Sequence, residues 1–450
     1  MPLRMNTVVV FGDSLSDIGN KWVTKAGRMA RLINQVRVSP SGRFSDCRTW
    51  TDYMYEEATG DSLIVDTAAE TIKRSREHTS YGSKNAMAQY GSYKKRSIGA
   101  PPPFGYANYA EGGACGYRPI EKARFLGTFE EQVDAFEKDC MASELPLRDT
   151  LFIIWFGAND LYTANRKASE MHLVAQEVAQ RQRDRLVKIF NKQNLRKQHP
   201  TTAAPQRSRV AGFFKKKDQP MALPLSDDEP PALYTCKFIF VDMCTPLSSV
   251  RYARRLEGAG NRPRGDLRHA GLYSAPVDPK RRLAEAVDTL DHVKAQGLRA
   301  EVLEEQIADV KNLEAGVQKY NQVLAQIVRI NGDEVVELGK FISEETIAQL
   351  ILTSDGRLKV GAMKSSVNKH VTPKDYGKGT EPHPVAIIDQ VHPTDFVHKL
   401  IWQQILTRIR ASDCTFGLLD FEPDAPYDLG KEIEARKTKF REGIAKQTLS

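Results

Sequence analysis

The chain has 450 residues, of which 41% are hydrophobic and 27% charged, and its net charge is +8. That length can bury a large core, and no apolar run approaches the eighteen residues of a membrane-spanning helix. Six cysteines (Cys47, Cys115, Cys140, Cys236, Cys244 and Cys414) stand without Cys-x-x-Cys spacing, so a zinc site is not expected and no cofactor is called for.

The first element is the apolar run Val8, Val9, Val10 and Phe11, the pattern of a short strand buried on both faces in a parallel sheet. Gly12 allows a sharp turn, which puts Asp13 and Ser14 at the strand's carboxyl end, where open α/β sheets carry their chemistry. A serine there can present its hydroxyl at the lip of a cleft and offer its own backbone N–H to an anion. The plainer role for Asp-Ser after a strand is a helix N-cap. Gly60-Asp61-Ser62-Leu63 repeats the tetrapeptide, but it precedes the apolar run of Leu63, Ile64 and Val65 and so reads as a turn.

Strands are expected near 7–11, 63–65, 106–110, 150–156 and 237–243, alternating with helical stretches. Apolar positions at Val302, Leu303, Ile307, Val310, Leu313, Val317, Tyr320 and Leu324 predict a long amphipathic helix over 301–330. Residues 396–410 read as a closing helix. The alternation predicts one doubly wound α/β domain over 1–410, with basic insertions at about 180–233 and 250–300. Residues 411–450 read as a tail that packs back or ends in a solvated helix.

A serine hydroxyl is a poor nucleophile unless a base lies within hydrogen-bond reach. Of nine histidines, His392 stands three residues after Asp389, at the end of an apolar segment over 385–388. That spacing lets one turn of chain hold the carboxylate against Nδ1–H and leave Nε2 for the serine. His383 also precedes a proline, but Thr380 stands where a carboxylate would be needed. Acyl transfer further requires donors for an oxyanion. Asn159 follows the apolar run 151–156 and can donate its amide into the same cleft. Gly112 and Gly113 follow the strand-like 106–110 and can bring a backbone N–H close, since neither has a Cβ. Taken singly these are a helix cap and a turn. Together, three strand ends deliver a nucleophile, a backbone donor and an amide donor.

The stretch Phe11-Gly12-Asp13-Ser14-Leu15-Ser16-Asp17-Ile18-Gly19-Asn20 resembles the opening block of the GDSL (SGNH) family of serine esterases and lipases. It is most similar to the branch that includes bacterial lipases and glycerophospholipid acyltransferases. Gly42-Arg43-Phe44-Ser45 with Trp50, Asn108-Tyr109-Ala110-Glu111-Gly112-Gly113-Ala114, Gly157-Ala158-Asn159-Asp160 and Asp389-Gln390-Val391-His392-Pro393-Thr394 are similar to the family's further blocks, in order. The resemblance implies a three-layer α/β/α fold with a mostly parallel five-stranded sheet of the SGNH-hydrolase or flavodoxin-like type. It implies an acyl-enzyme on Ser14, with Asp389 and His392 completing the triad and Ser14, Gly113 and Asn159 as the oxyanion hole. A lipase, phospholipase A or acyltransferase follows from it. A carbohydrate or small-molecule acetyl-esterase is the alternative, and a catalytically idle module that binds anionic surfaces is the alternative from another class.

Charge is unevenly laid out. Residues 180–217 hold twelve Lys/Arg against one acidic residue, and residues 251–282 hold nine against three. These tracts are either solvated insertions or a means of docking on an anionic membrane surface. No aromatic platform or recognised fold accompanies them, so nucleic acid is not an expected partner. Cys115 either lines the cleft or serves as a small buried hydrophobe. With a strand from residue 7 no leader peptide is expected, which gives a cytoplasmic location by default and secretion or translocation into a host cell as the alternative.

Overall fold

The structure, a computed structural model, describes residues 2–24, 27, 39, 41–45, 47–65, 67–79, 105–118, 126–142, 147–198, 234–245, 279–296, 301–341 and 392–419. Its centre is a sheet whose strands are β2 (Thr7–Gly12), β3 (Gly105–Asn108), β4 (Thr150–Trp155), β5 (Cys236–Val241) and β6 (Glu334–Val336). They are all parallel and run in the order β3-β2-β4-β5-β6. A separate parallel pair joins β1 (Leu3–Arg4) to β7 (Cys414–Thr415).

The central strands are apolar throughout because both of their faces are covered. Val8 and Val10 of β2, with Leu151, Ile153 and Trp155 of β4, point into one core, together with Trp50, Met54, Trp402, Ile405 and Ile409. Val9, Phe11, Phe152 and Ile154 point into the opposite core, with Phe129, Phe136, Val174, Val178, Tyr320 and Leu324. The first core lies under the helices Trp50–Thr59 and Asp395–Ala411. The second lies under Phe129–Ala142, Glu301–Asn331 and a continuous helical run. That run passes from Met171–Gln176 through a π-helical stretch, Glu177–Gln182, into Arg183–Gln198. The result is the three-layer α/β/α arrangement expected. Each large side chain taken from water into these cores contributes about 1.5–3 kcal/mol.

One strand expectation fails. Residues 63–65 form no strand; Leu63 and Ile64 are buried as loop residues, Leu63 in the core with Trp50, Met54 and Tyr55. The fifth strand is instead β6, three residues placed directly after the long helix and its turn at Gly332, where φ is +68°. The preceding helix ends at Gly60 with φ +69°, so Gly60-Asp61-Ser62-Leu63 is a turn as read. The Ser62 hydroxyl donates to Glu56 Oε1 at 2.5 Å.

The first basic tract begins inside the fold. Leu186, Ile189 and Phe190 of Arg183–Gln198 are buried against the sheet. Arg183 pairs with Asp333 at 2.9 Å and Arg185 with Glu137 at 2.8 Å, so part of that charge is matched internally. Residues 199–233 lie outside the described residues, as do residues 251–278 of the second tract. The beginning of the expected tail packs back through β7 and the buried Phe416, and residues 420–450 are outside. No helix among the described residues is long and apolar enough to cross a membrane.

Candidate active site

β2 has β3 on one side and β4 on the other, so the chain leaves β2 first in one direction and later in the other. The crevice outside the carboxyl ends at such a reversal is where open α/β sheets bind ligands. Ser14 stands there, in the turn directly after β2. Gly12 is required by space: a Cβ on it would lie 2.9 Å from Ser16 Oγ and 3.1 Å from the Trp155 carbonyl oxygen. Its backbone is clasped by one side chain, since Gly12 N–H donates to Gln132 Oε1 (3.1 Å) and Gln132 Nε2 donates to Gly12 O (2.7 Å).

His392 Nε2 and Ser14 Oγ are 2.7 Å apart. The histidine stands just before the helix Asp395–Ala411, whose entry is tied down by Asp395 Oδ1. That oxygen accepts Arg48 N–H and the Tyr53 hydroxyl, both at 3.0 Å. The imidazole faces the ring of Phe44 with centroids 5.0 Å apart. The preceding residue, Arg43, is fully buried in an ion pair with Asp52 at 2.7 Å. The Arg43 guanidinium beside it keeps Asp52 below its usual range despite burial. Asp389 and His383 lie outside the described residues. A further histidine, His398, is buried, accepts Trp50 N–H at Nδ1 (3.3 Å), and is pulled down to about 3 by burial; it stays neutral and packs the core.

The expected donors arrive from the two neighbouring strands. Residues 111–114 make a turn in which Ala114 N–H donates to Glu111 O at 3.0 Å, and Gly113 adopts φ +85°, which favours glycine. Glu111 N–H donates to Gly12 O at 3.1 Å, which keeps this turn against the serine loop. Asn159 lies one residue into the short helix Ala158–Tyr162 that follows β4. Its Nδ2 donates to Asp13 Oδ2 and to Ala114 O, both at 3.2 Å, and its Oδ1 accepts the Thr163 hydroxyl at 2.9 Å. It therefore bridges the residue before Ser14 and the residue after Gly113. To donate to a substrate oxyanion it exchanges one of two long bonds.

Three buried carboxyls surround this arrangement. Burial pushes Asp13 up to about 6 against the opposing pull of the Leu15 amide and the nearby His392. Burial does the same to Asp17, also to about 6, against four backbone amides. Asp160 is pushed up to about 7 by burial although Gly116 N–H (2.6 Å) and Tyr117 N–H (3.1 Å) both donate to it. Cys115 is fully buried and its thiol is pushed well up, so it acts as a small core residue.

A hydroxyl, an imidazole and amide donors brought together at the end of a parallel sheet can carry out acyl transfer. Ser14 and His392 meet directly, while Gly113 and Asn159 are joined to them through Glu111, Ala114 and Asp13. Sequence reasoning missed Gln132 and the bond from Gly112 to Asp17. Each acts through a contact at large sequence separation, and no local pattern marks it. Phe44 belonged to a recognised block, but its packing on His392 was not foreseen. Compared with known proteins, residues 8–223 match the model of the GDSL-like Lipase/Acylhydrolase family. No curated protein matches the chain.

Proposed function

We propose, from the premise that this chain belongs to the GDSL-like lipase/acylhydrolase family and is a hydrolase, that it cleaves carboxylic esters through an acyl-enzyme on Ser14. The observation that supports this most is the 2.7 Å approach of His392 Nε2 to Ser14 Oγ at the carboxyl end of β2.

In this reading Ser14 Oγ attacks the acyl carbonyl carbon as His392 Nε2 takes its proton. The carbonyl oxygen becomes an oxyanion, met by the N–H groups of Ser14 and Gly113 and by Asn159 Nδ2. The carbon–oxygen bond to the alcohol breaks, and His392 gives its proton to the departing oxygen. Water then repeats the sequence on the acyl-enzyme, releasing the acid and restoring Ser14. Asp389 orients the imidazole in this scheme, a role that rests on its spacing from His392. An alcohol in place of water would make the same steps an acyl transfer.

For substrate we propose a lipid ester, supported by the resemblance of the serine block to lipases and acyltransferases and by the basic tracts, which suit an anionic lipid surface. The test is hydrolysis of p-nitrophenyl esters of rising chain length, with phospholipid vesicles alongside. Turnover that increases with acyl length, and release of fatty acid from vesicles, are expected. Turnover confined to acetyl esters favours the acetyl-esterase alternative. Absence of turnover on every ester by a folded chain overturns the proposal.

A further inference from the structure

We infer that Asp17 is a positioning residue of the proposed acyl-transfer site, holding the Gly112–Gly113 turn so that the Gly113 amide faces the oxyanion. The inference rests on the ester-hydrolase reading above and adds to it a residue outside the expected set.

The Asp17 side chain is fully buried and accepts four backbone amides. Oδ1 takes Gly19 N–H at 2.7 Å and Asn20 N–H at 2.6 Å. Oδ2 takes Lys21 N–H at 3.0 Å and Gly112 N–H at 2.8 Å. The first three are local and amount to an aspartate closing a loop on its own backbone, its simplest role. The fourth crosses 95 positions and lands on the residue before Gly113. Gly113 is then bracketed, since Gly112 N–H is held on one side and Ala114 N–H is held by Glu111 O on the other.

Other bonds make the serine loop and the glycine turn a single piece. Asn20 Nδ2 donates to the carbonyls of Asn108 (3.1 Å) and Ala110 (2.7 Å), and Asn108 Nδ2 donates to Ser16 O at 2.9 Å. Lys21 Nζ reaches Glu111 Oε1 at 2.8 Å. Within this piece Asp17 is the group that touches both the serine loop and Gly112. An asparagine in its place would turn an N–H₂ towards amides that are themselves donors. At least one would lose its acceptor, and such a buried, unpaired amide drives the backbone to move.

The experiment compares wild type and Asp17→Asn, as full chains, on an aryl ester and its thiono analogue, in which sulfur replaces the carbonyl oxygen. Amide donors spaced for oxygen stabilise the developing charge on sulfur poorly, so a site that uses them strongly prefers the oxygen ester. With the Gly113 amide misaimed, kcat on the oxygen ester should fall at least about tenfold with KM little changed, a substantial part of the loss that removing an oxyanion donor causes. The thiono rate should fall much less, so that the oxygen-to-sulfur preference narrows. An equal fall on both esters, the result of a merely structural role, overturns the inference, and so does an unchanged kcat. Should Asp17→Asn not fold, Asp17→Glu, which keeps the charge but moves it by one methylene, is read in the same way. Absence of wild-type turnover on both esters overturns the hydrolase reading itself, and the inference with it.

Discussion

The ring of Phe44 lies between two parts of the candidate site: its centroid is 5.0 Å from that of His392, and its edge fills the space where a side chain on Gly112 would stand. A Cβ on Gly112 would come within 2.2 Å of Phe44 Cε2, a distance no real contact allows. Gly112→Ala is therefore expected to push the ring towards the imidazole. Displacing a reacting group by about 1 Å can cost about a hundredfold in rate, so kcat should fall by between ten- and a hundredfold. Steady-state kinetics check this, and a variant with unchanged kcat would show that Phe44 does not hold His392.

The two copies of Gly-Asp-Ser-Leu differ in surroundings. Ser14 Oγ meets an imidazole, whereas Ser62 Oγ donates to Glu56. A fluorophosphonate probe should label Ser14 alone. Ser14→Ala should abolish ester hydrolysis, and Ser62→Ala should leave it nearly intact; an adduct on Ser62 would refute the assignment.

His392→Ala should lower kcat by roughly three orders of magnitude or more, the scale of losing a member of a serine triad. His398→Ala should act on stability, because it removes a fully buried ring and the acceptor of Trp50 N–H. Kinetics and urea melts on both variants separate the two effects. A large loss of stability in the first, or of activity alone in the second, would reverse the roles.

Asp13 and Asp17, raised to about 6, and Asp160, raised to about 7, hold their protons more tightly in the fold than in the unfolded chain, where the ordinary value is 3.8. Between those values the folded state binds more protons, so stability from these groups is fully present below pH 3.8. It is lost as pH rises through about 6 to 7, by at most about 1.4 kcal/mol per pH unit for each group. Urea unfolding of wild type and Asp160→Asn from pH 4 to pH 8 tests this. The wild type should lose more stability over that span than the variant, and parallel curves would mean that Asp160 titrates in its ordinary range.

Much of the fold and site is legible in sequence because it is local. The valines before Phe11 and the run ending in Trp155 are apolar without alternation, which only a doubly covered strand requires, and both became central strands. The spacing from Val302 to Leu324 marks a helix face, and the helix Glu301–Asn331 is there. Ser14, Gly113 and Asn159 could each be named because each follows such a run. The apolar Leu63, Ile64 and Val65 misled for the same reason: burial in a loop leaves the same letters as burial in a strand. β6, with three residues and one buried valine, is too short to leave a period.

What only the tertiary structure decided is adjacency. Sequence alone determined that several apolar runs end in residues able to act as nucleophile or donor. The order β3-β2-β4 decided that three of those ends open on one crevice. The meeting of His392 with Ser14 across 378 positions, the Gln132 clasp on Gly12 across 120 and the Asp17 bond to Gly112 across 95 have no counterpart in any local pattern. Local periodicity records which face of an element is buried, but not which distant residue covers it; that is settled when the layers close and every buried amide and carboxylate must find a partner.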